Sequence, residues 1–254
     1  MRASLALEDA PVPTEQEATG SVGLYLSSSR RIGPSLALVL PLLLAHEVAV
    51  ALLNPPVRNS ADQVITELMS RLPSHTLPVF RWAGVLALLV LLVRRRPERH
   101  DRPALVLGEA LLWAVCLGPL VGSMVGGLGL SAGTGWVTGQ VPLWQAMLLS
   151  VGAGLWEEIV FRLGLLGGLA LFLRRVARCS PVLSVGVAIV ASAAAFSLYH
   201  HLGDGGEPFT MGPFVFRALA GTILGLLFAL RGFAVVVYMH VFYDLLCDMR
   251  AAFA

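Results

Sequence analysis

The chain has 254 residues, of which 56% are hydrophobic and only 13% charged, with a formal net charge of +2 and a mean hydropathy of +0.77. Soluble domains carry about 25% charged residues, so a water-soluble enzyme, a nucleic-acid binder and a disordered chain all fit poorly, and a polytopic helical membrane protein is expected. All 18 basic residues are arginine, and the three cysteines, Cys116, Cys179 and Cys247, lie too far apart for a metal-binding spacing or a disulfide framework.

Residues 1–29 are polar and lack periodicity, and read as a flexible N-terminal tail. The transmembrane domain then covers 30–254. Arg30 and Arg31 precede a first apolar run over about 35–53, longer than the core of a cleaved signal peptide. Residues 61–72 set Ala61, Val64, Ile65, Leu68, Met69 and Leu72 on one helical face, with Asp62, Gln63, Glu67 and Arg71 on the other. This predicts a short amphipathic helix lying along the membrane surface. Further apolar stretches occupy about 79–93, 104–125, 142–173, 182–201, 213–230 and 232–248. Since about 20 residues cross a bilayer, the 142–173 stretch either starts as an interfacial helix or breaks and re-enters. Glycine-rich 118–139 reads as a loop or irregular helix end, and the last two stretches, parted only by Arg231 and Gly232, as a tight helical hairpin. The expected fold class is therefore all-α, a polytopic transmembrane helical bundle of about seven or eight spans.

Arginines mark four junctions: Arg30 and Arg31; Arg94, Arg95, Arg96, Arg99 and Arg102; Arg174, Arg175 and Arg178; and Arg231. With seven spans all four fall on one side, which the positive-inside rule makes the cytoplasm. The N-terminus is then inside and the C-terminus outside, in what we expect to be a bacterial inner membrane.

Ionisable side chains in lipid cost about 2.5–3.5 kcal/mol each even on the insertion scale, so those inside the apolar stretches need a reason. Glu109 lies near a cytoplasmic end, where it can reach water. His46 and Glu47 lie deep in the first span, with no role legible from sequence. Three later segments stand out. Trp156-Glu157-Glu158 continues to Arg162, placing Glu158 and Arg162 at i,i+4 for an ion pair. Glu157 points about 100° away and lacks that partner, which suits it to general acid–base work. Phe196 and His200 share a face, with His201 pointing elsewhere; His240 and Asp244 are again i,i+4. Two imidazoles, a free carboxylate and an aspartate can hold one water between helices, or a divalent metal such as Zn2+ ligated by Glu157, His200, His240 and Asp244. Without metal, Glu157 and His200 would deprotonate water while His240 and Asp244 orient it or polarise the substrate carbonyl.

The ordered set Glu157-Glu158…Arg162, Phe196…His200 and His240…Asp244 resembles the CPBP family of intramembrane proteases, the CaaX-protease and bacteriocin-processing (Abi) group, over about 142–248. The resemblance implies an α-helical membrane endopeptidase. Glu157 would activate water with help from His200, His240 and Asp244 would stabilise the oxyanion or complete the water site, and Glu158 and Arg162 would hold the helix geometry. Members have been described both as metalloproteases and as glutamate-dependent proteases. Asp244 stands where prenyl-CaaX enzymes carry asparagine, a choice seen among bacterial relatives.

At about 1.5 Å per residue, Glu157 lies about 25 Å from Arg174, His200 about 30 Å from Ser180 and Asp244 about 20 Å from Arg231. The site is thereby expected in the outer half of the bilayer. This points to a membrane-anchored substrate cut near its outer surface, such as a C-terminal tail or sorting signal of the kind processed by the myxosortase-like branch. A CaaX-type prenyl-protein endopeptidase and a bacteriocin maturation or immunity protease are the alternatives within the family. Outside it, an ion-coupled transporter or a non-catalytic membrane scaffold would use the same residue types, though no inverted repeat supports a carrier.

Overall fold

The computed structural model describes residues 21–53, 73, 76–95, 102–131, 142–202 and 206–253. Among them every regular element is helical: α1 (Ser21–Ser29), α2 (Ile32–Leu53), α3 (Thr76–Arg95), α4 (Pro103–Gly127), α5 (Leu143–Glu157), a π-helical stretch (Glu158–Leu166), α6 (Gly167–Arg175), α7 (Pro181–Tyr199), α8 (Met211–Arg231) and α9 (Phe233–Phe253). The protein is an all-α membrane bundle. By length and composition α2, α4, α7 and α8 are long and apolar enough to cross a membrane. Their outward side chains are large and apolar, as with Leu112 at 64% and Val190 at 65% exposure. Such a surface suits hydrocarbon rather than water. The amphipathic helix expected over 61–72 lies outside the described residues.

Three expectations are corrected. The 142–173 stretch neither breaks nor re-enters; it is helical throughout, from Leu143 to Arg175, with the π-helical stretch in its middle. The glycine-rich stretch is helical for its first part, because α4 continues through Pro119 to Gly127; Gly129 follows at φ +71°, and 132–139 lie outside the described residues. The last residues of the expected polar tail, Ser21–Ser29, form α1. Their anchor is tertiary: the Tyr25 hydroxyl donates to Glu109 on α4. Arg231 forks onto the same carboxylate through Nε and Nη2, both at 2.6 Å, and lies over the Tyr25 ring. Glu109 is therefore an ion-paired junction rather than a group reaching for water. Burial, then Glu109, pushes the Tyr25 phenol up.

The C-terminal helix forms the axis of the bundle. Val235, Val236, Val237 and Met239 are fully buried, and α2, α4, α5, the π-helical stretch and α8 all pack around α9. Two glycines make this possible. Gly232 turns the chain between α8 and α9 at φ +91°, a left-handed conformation that disfavours other residues. Gly154 lets α5 approach α9 at backbone contact, where a Cβ would stand 2.8 Å from the Val241 nitrogen. α7 and α8 meet through Gly221 and Gly225, spaced four apart as in small-residue membrane interfaces and seated on Ala193, Phe196 and Ile189. α7 itself starts cleanly, with Pro181 in its first turn and the Ser180 hydroxyl accepting from the Leu183 N–H.

Candidate active site

The π-helical stretch begins one residue after Glu157. Its i→i+5 bonding widens the turn. Glu157, Glu158, Phe161 and Arg162 are all buried. A hydroxyl from the neighbouring helix supports the altered backbone, as Ser192 on α7 donates to the Phe161 carbonyl at 2.7 Å.

The two glutamates approach His240 from opposite nitrogens of its ring. Glu158 Oε1 lies 2.7 Å from His240 Nδ1, while Glu157 Oε2 lies 3.8 Å from Nε2 of the same ring. Asp244 Oδ2, one turn further along α9, stands 3.5 Å from that Nε2. The other oxygen of Glu157 faces the second imidazole, with Oε1 3.9 Å from His200 Nε2. The six residues singled out in the sequence thus come together: Glu157 between two rings, Asp244 beside one of them, and Glu158 and Arg162 behind. His201 stays apart, its Nδ1 on the Glu207 carbonyl and its ring against Phe209.

The hydrogen bonds set the chemistry of the two rings. His200 Nδ1 sits 2.8 Å from the Phe196 carbonyl, which can only accept. Nδ1 therefore carries a proton, and in the neutral ring Nε2 turns its lone pair toward Glu157. A carboxylate oxygen and an imidazole lone pair 3.9 Å apart do not bond each other. A water donating to both, at roughly 2.8 Å from each, fits that gap with an angle near 90°. His240 is held differently, since Glu158 accepts from its Nδ1–H. Glu158 is itself fastened to Arg162, with Nη1 3.0 Å from the shared Oε1. The expected Glu158–Arg162 pair is therefore present and has a second task, which is to orient His240.

Phe196 joins these parts. Its ring lies under the Arg162 guanidinium at 4.5 Å, and edge-on to Phe161, His200 and His240. Cation–π attraction and edge-to-face packing thereby give Arg162 an apolar seat inside the bundle. Three charged residues inside apolar runs were passed over in the sequence: Arg81, Arg217 and Asp248. Arg217 on α8 pairs with Glu207 at 2.6 Å and lies within electrostatic reach of His200 and Tyr243. Buried Asp248 accepts from Ser150 at 2.6 Å. The rule that exposed the other residues, a lone charge in an apolar stretch, would have found these too.

Residues 138–246 match the family described as type II CAAX prenyl endopeptidase, Rce1-like. This stretch is similar to the CAAX-protease family. The match takes in all three clustered motifs and stops two residues beyond Asp244, so the matched segment is the part of the chain that builds the site. Comparison with curated proteins and with solved structures returns no match. A CAAX-type membrane endopeptidase is the activity that goes with this family. As for a metal, no group of three or more His, Cys, Asp or Glu side chains among the described residues is arranged to hold an ion. The side chains that would hold a divalent ion are Glu157, His200, His240 and Asp244, and the chemistry below is developed through what these side chains do themselves.

Proposed function

We propose that the protein is an intramembrane endopeptidase that hydrolyses a peptide bond of a membrane-anchored substrate with a water activated by Glu157 and His200. The observation that carries this is the meeting of Glu157, His200 and His240, brought from three separate helical segments into one buried cluster with separations of 3.8 and 3.9 Å. Water held between Glu157 and the His200 lone pair gives its proton to the Glu157 carboxylate as its oxygen attacks the scissile carbonyl. In its protonated form, His240 keeps Nδ1–H on Glu158 and turns Nε2–H into the pocket, where it can donate to the developing oxyanion. Asp244 lies beside that hydrogen and balances its charge. Glu157 then returns the proton to the leaving amine, and peptide plus water become acid and amine.

The substrate we favour is a C-terminal tail or sorting signal cut in the half of the bilayer away from the arginine-rich ends. Contacts across that basic end support this polarity: Arg30 donates to the Leu230 carbonyl at 2.7 Å, and Arg231 pairs with Glu109 near the start of α4. The active residues lie many turns further along their helices. The family description favours a second reading, a prenylated C-terminal tail approached from the cytoplasmic side. Glu157→Gln tests the hydrolase directly. Membrane-protein termini compared between cells carrying the wild type and the variant should reveal a tail left uncut, with expression and folding nearly intact. Altered solute flux with no peptide product would favour a transporter instead.

A further inference from the structure

We propose that the Glu47–Arg81 ion pair is a positioning clamp for Glu157, acting through the indole of Trp156. It rests on the peptidase reading above. Glu47 lies on α2 and Arg81 on α3, both outside the family-matched residues, and both are buried, at 3% and 6% exposure. The guanidinium forks onto the carboxylate, with Nε to Oε2 at 2.9 Å and Nη2 to Oε1 at 2.6 Å. Trp156 Nε1–H donates to the same Oε1 at 3.2 Å, and Arg81 lies 5.1 Å from the centre of the indole ring. The carboxylate and the guanidinium thus grip one side chain from two directions.

That side chain occupies a sensitive place. Trp156 immediately precedes Glu157, the last α-helical residue before the π-helical stretch. At such a junction the backbone bonding changes register, so the helix's own hydrogen bonds constrain the rotation of the turn less than they do in a regular helix. Glu157 must direct one oxygen to His200 and the other to His240, and a small rotation of its turn would break one of the two approaches. A fork-bonded pair fixed in two further helices supplies the missing constraint. A buried ion pair is also a poor source of stability, since removing both charges from water costs as much as their attraction returns. Holding geometry is therefore the better account of its presence.

The experiment uses the full chain in detergent micelles. Trp156→Phe keeps an aromatic ring beside Arg81 and loses only the N–H. The double variant Glu47→Leu/Arg81→Leu removes both charges together, leaving neither buried alone. Hydrogen exchange of the amides from 153 to 163 is expected to quicken by about tenfold or more in both variants, with α7 and α8 unchanged. Unchanged exchange, or a rise spread evenly over the bundle, would overturn the clamp. Turnover is measured alongside with two fluorogenic peptides, an unprenylated membrane-anchored C-terminal tail and one ending in a farnesylated cysteine, two aliphatic residues and a terminal residue, on whichever the wild type cleaves. There kcat should fall about tenfold to a hundredfold with KM within about twofold, and combining the variants should add little. If Glu157→Gln is inactive while both clamp variants turn over like wild type, the clamp is wrong. If Glu157→Gln turns over normally, the peptidase reading is wrong and the exchange result alone decides the clamp.

Discussion

His240 is the side chain on which the site turns. One of its nitrogens is bonded to Glu158, and the other faces Glu157 and Asp244. Loss of the Glu158 carboxylate should therefore act on chemistry more than on binding. Glu158→Gln keeps an acceptor for Nδ1–H but removes the charge opposing Arg162, and kcat is expected to fall by about 10–100-fold with KM little changed, measured in steady state on any cleaved substrate. Losing Ser192, whose hydroxyl bonds the Phe161 carbonyl, should instead appear as stability. Ser192→Ala should cost about 1–2 kcal/mol, read as a lower thermal midpoint, because it leaves a buried carbonyl without its side-chain donor. Sequence alone identified His240, Glu158 and Asp244 through helical spacing. The tie between Glu158 and His240, 82 positions apart, was not legible, since spacing relates residues on one helix and says nothing of what a neighbouring helix brings.

At the scale of elements, the interruption of the long helix and the close approach of α5 to α9 set the geometry together. The π-helical stretch begins at Glu158, and Gly154 allows α9 near enough for Glu157 and Glu158 both to face His240. Gly154→Leu should separate α5 from α9 and abolish activity, because its Cβ already meets Val241 backbone atoms, and a side chain beyond it has no space. Gly225→Leu, at the α7–α8 contact, should lower thermal stability and disturb His200 through α7. The outcome to look for is partial activity in surviving protein, against complete loss for Gly154→Leu. The apolar stretches in the sequence correspond to helices because hydrophobic runs of bilayer length leave the backbone few other ways to satisfy its hydrogen bonds. A π-helical interruption leaves no comparable mark in hydropathy, so the excess length of 142–173 suggested an interfacial start or a break instead.

For the whole molecule the arginine-rich junctions carry the expected orientation. Arg30, Arg231 and the start of α4 are drawn together at one end by hydrogen bonds and by Tyr25. On the positive-inside rule that end is expected in the cytoplasm, which reporter fusions test by placing Ala254 on the opposite side. A cytoplasmic Ala254 would remove the basis for a substrate cut near the outer surface, leaving the prenylated tail as the better reading. The same end is stapled by Glu109, and Glu109→Gln should loosen α1 and lower the thermal midpoint, by less than a fully buried pair would because both partners are partly exposed.

Composition and periodicity by themselves determined that this is a helical membrane protein, and that Glu157, Glu158, Arg162, His200, His240 and Asp244 are charges out of place in lipid. That much is local: a residue's cost in hydrocarbon depends on its own chemistry and on its immediate neighbours along the helix. Tertiary structure alone decided that Glu157 stands between two imidazoles, that Glu109 is paired with Arg231, and that Glu47, without a role in sequence, reaches Arg81 and Trp156. Those partners come from helices far apart in the chain, and close packing of glycine-notched helices, rather than any spacing along one of them, sets which side chains meet.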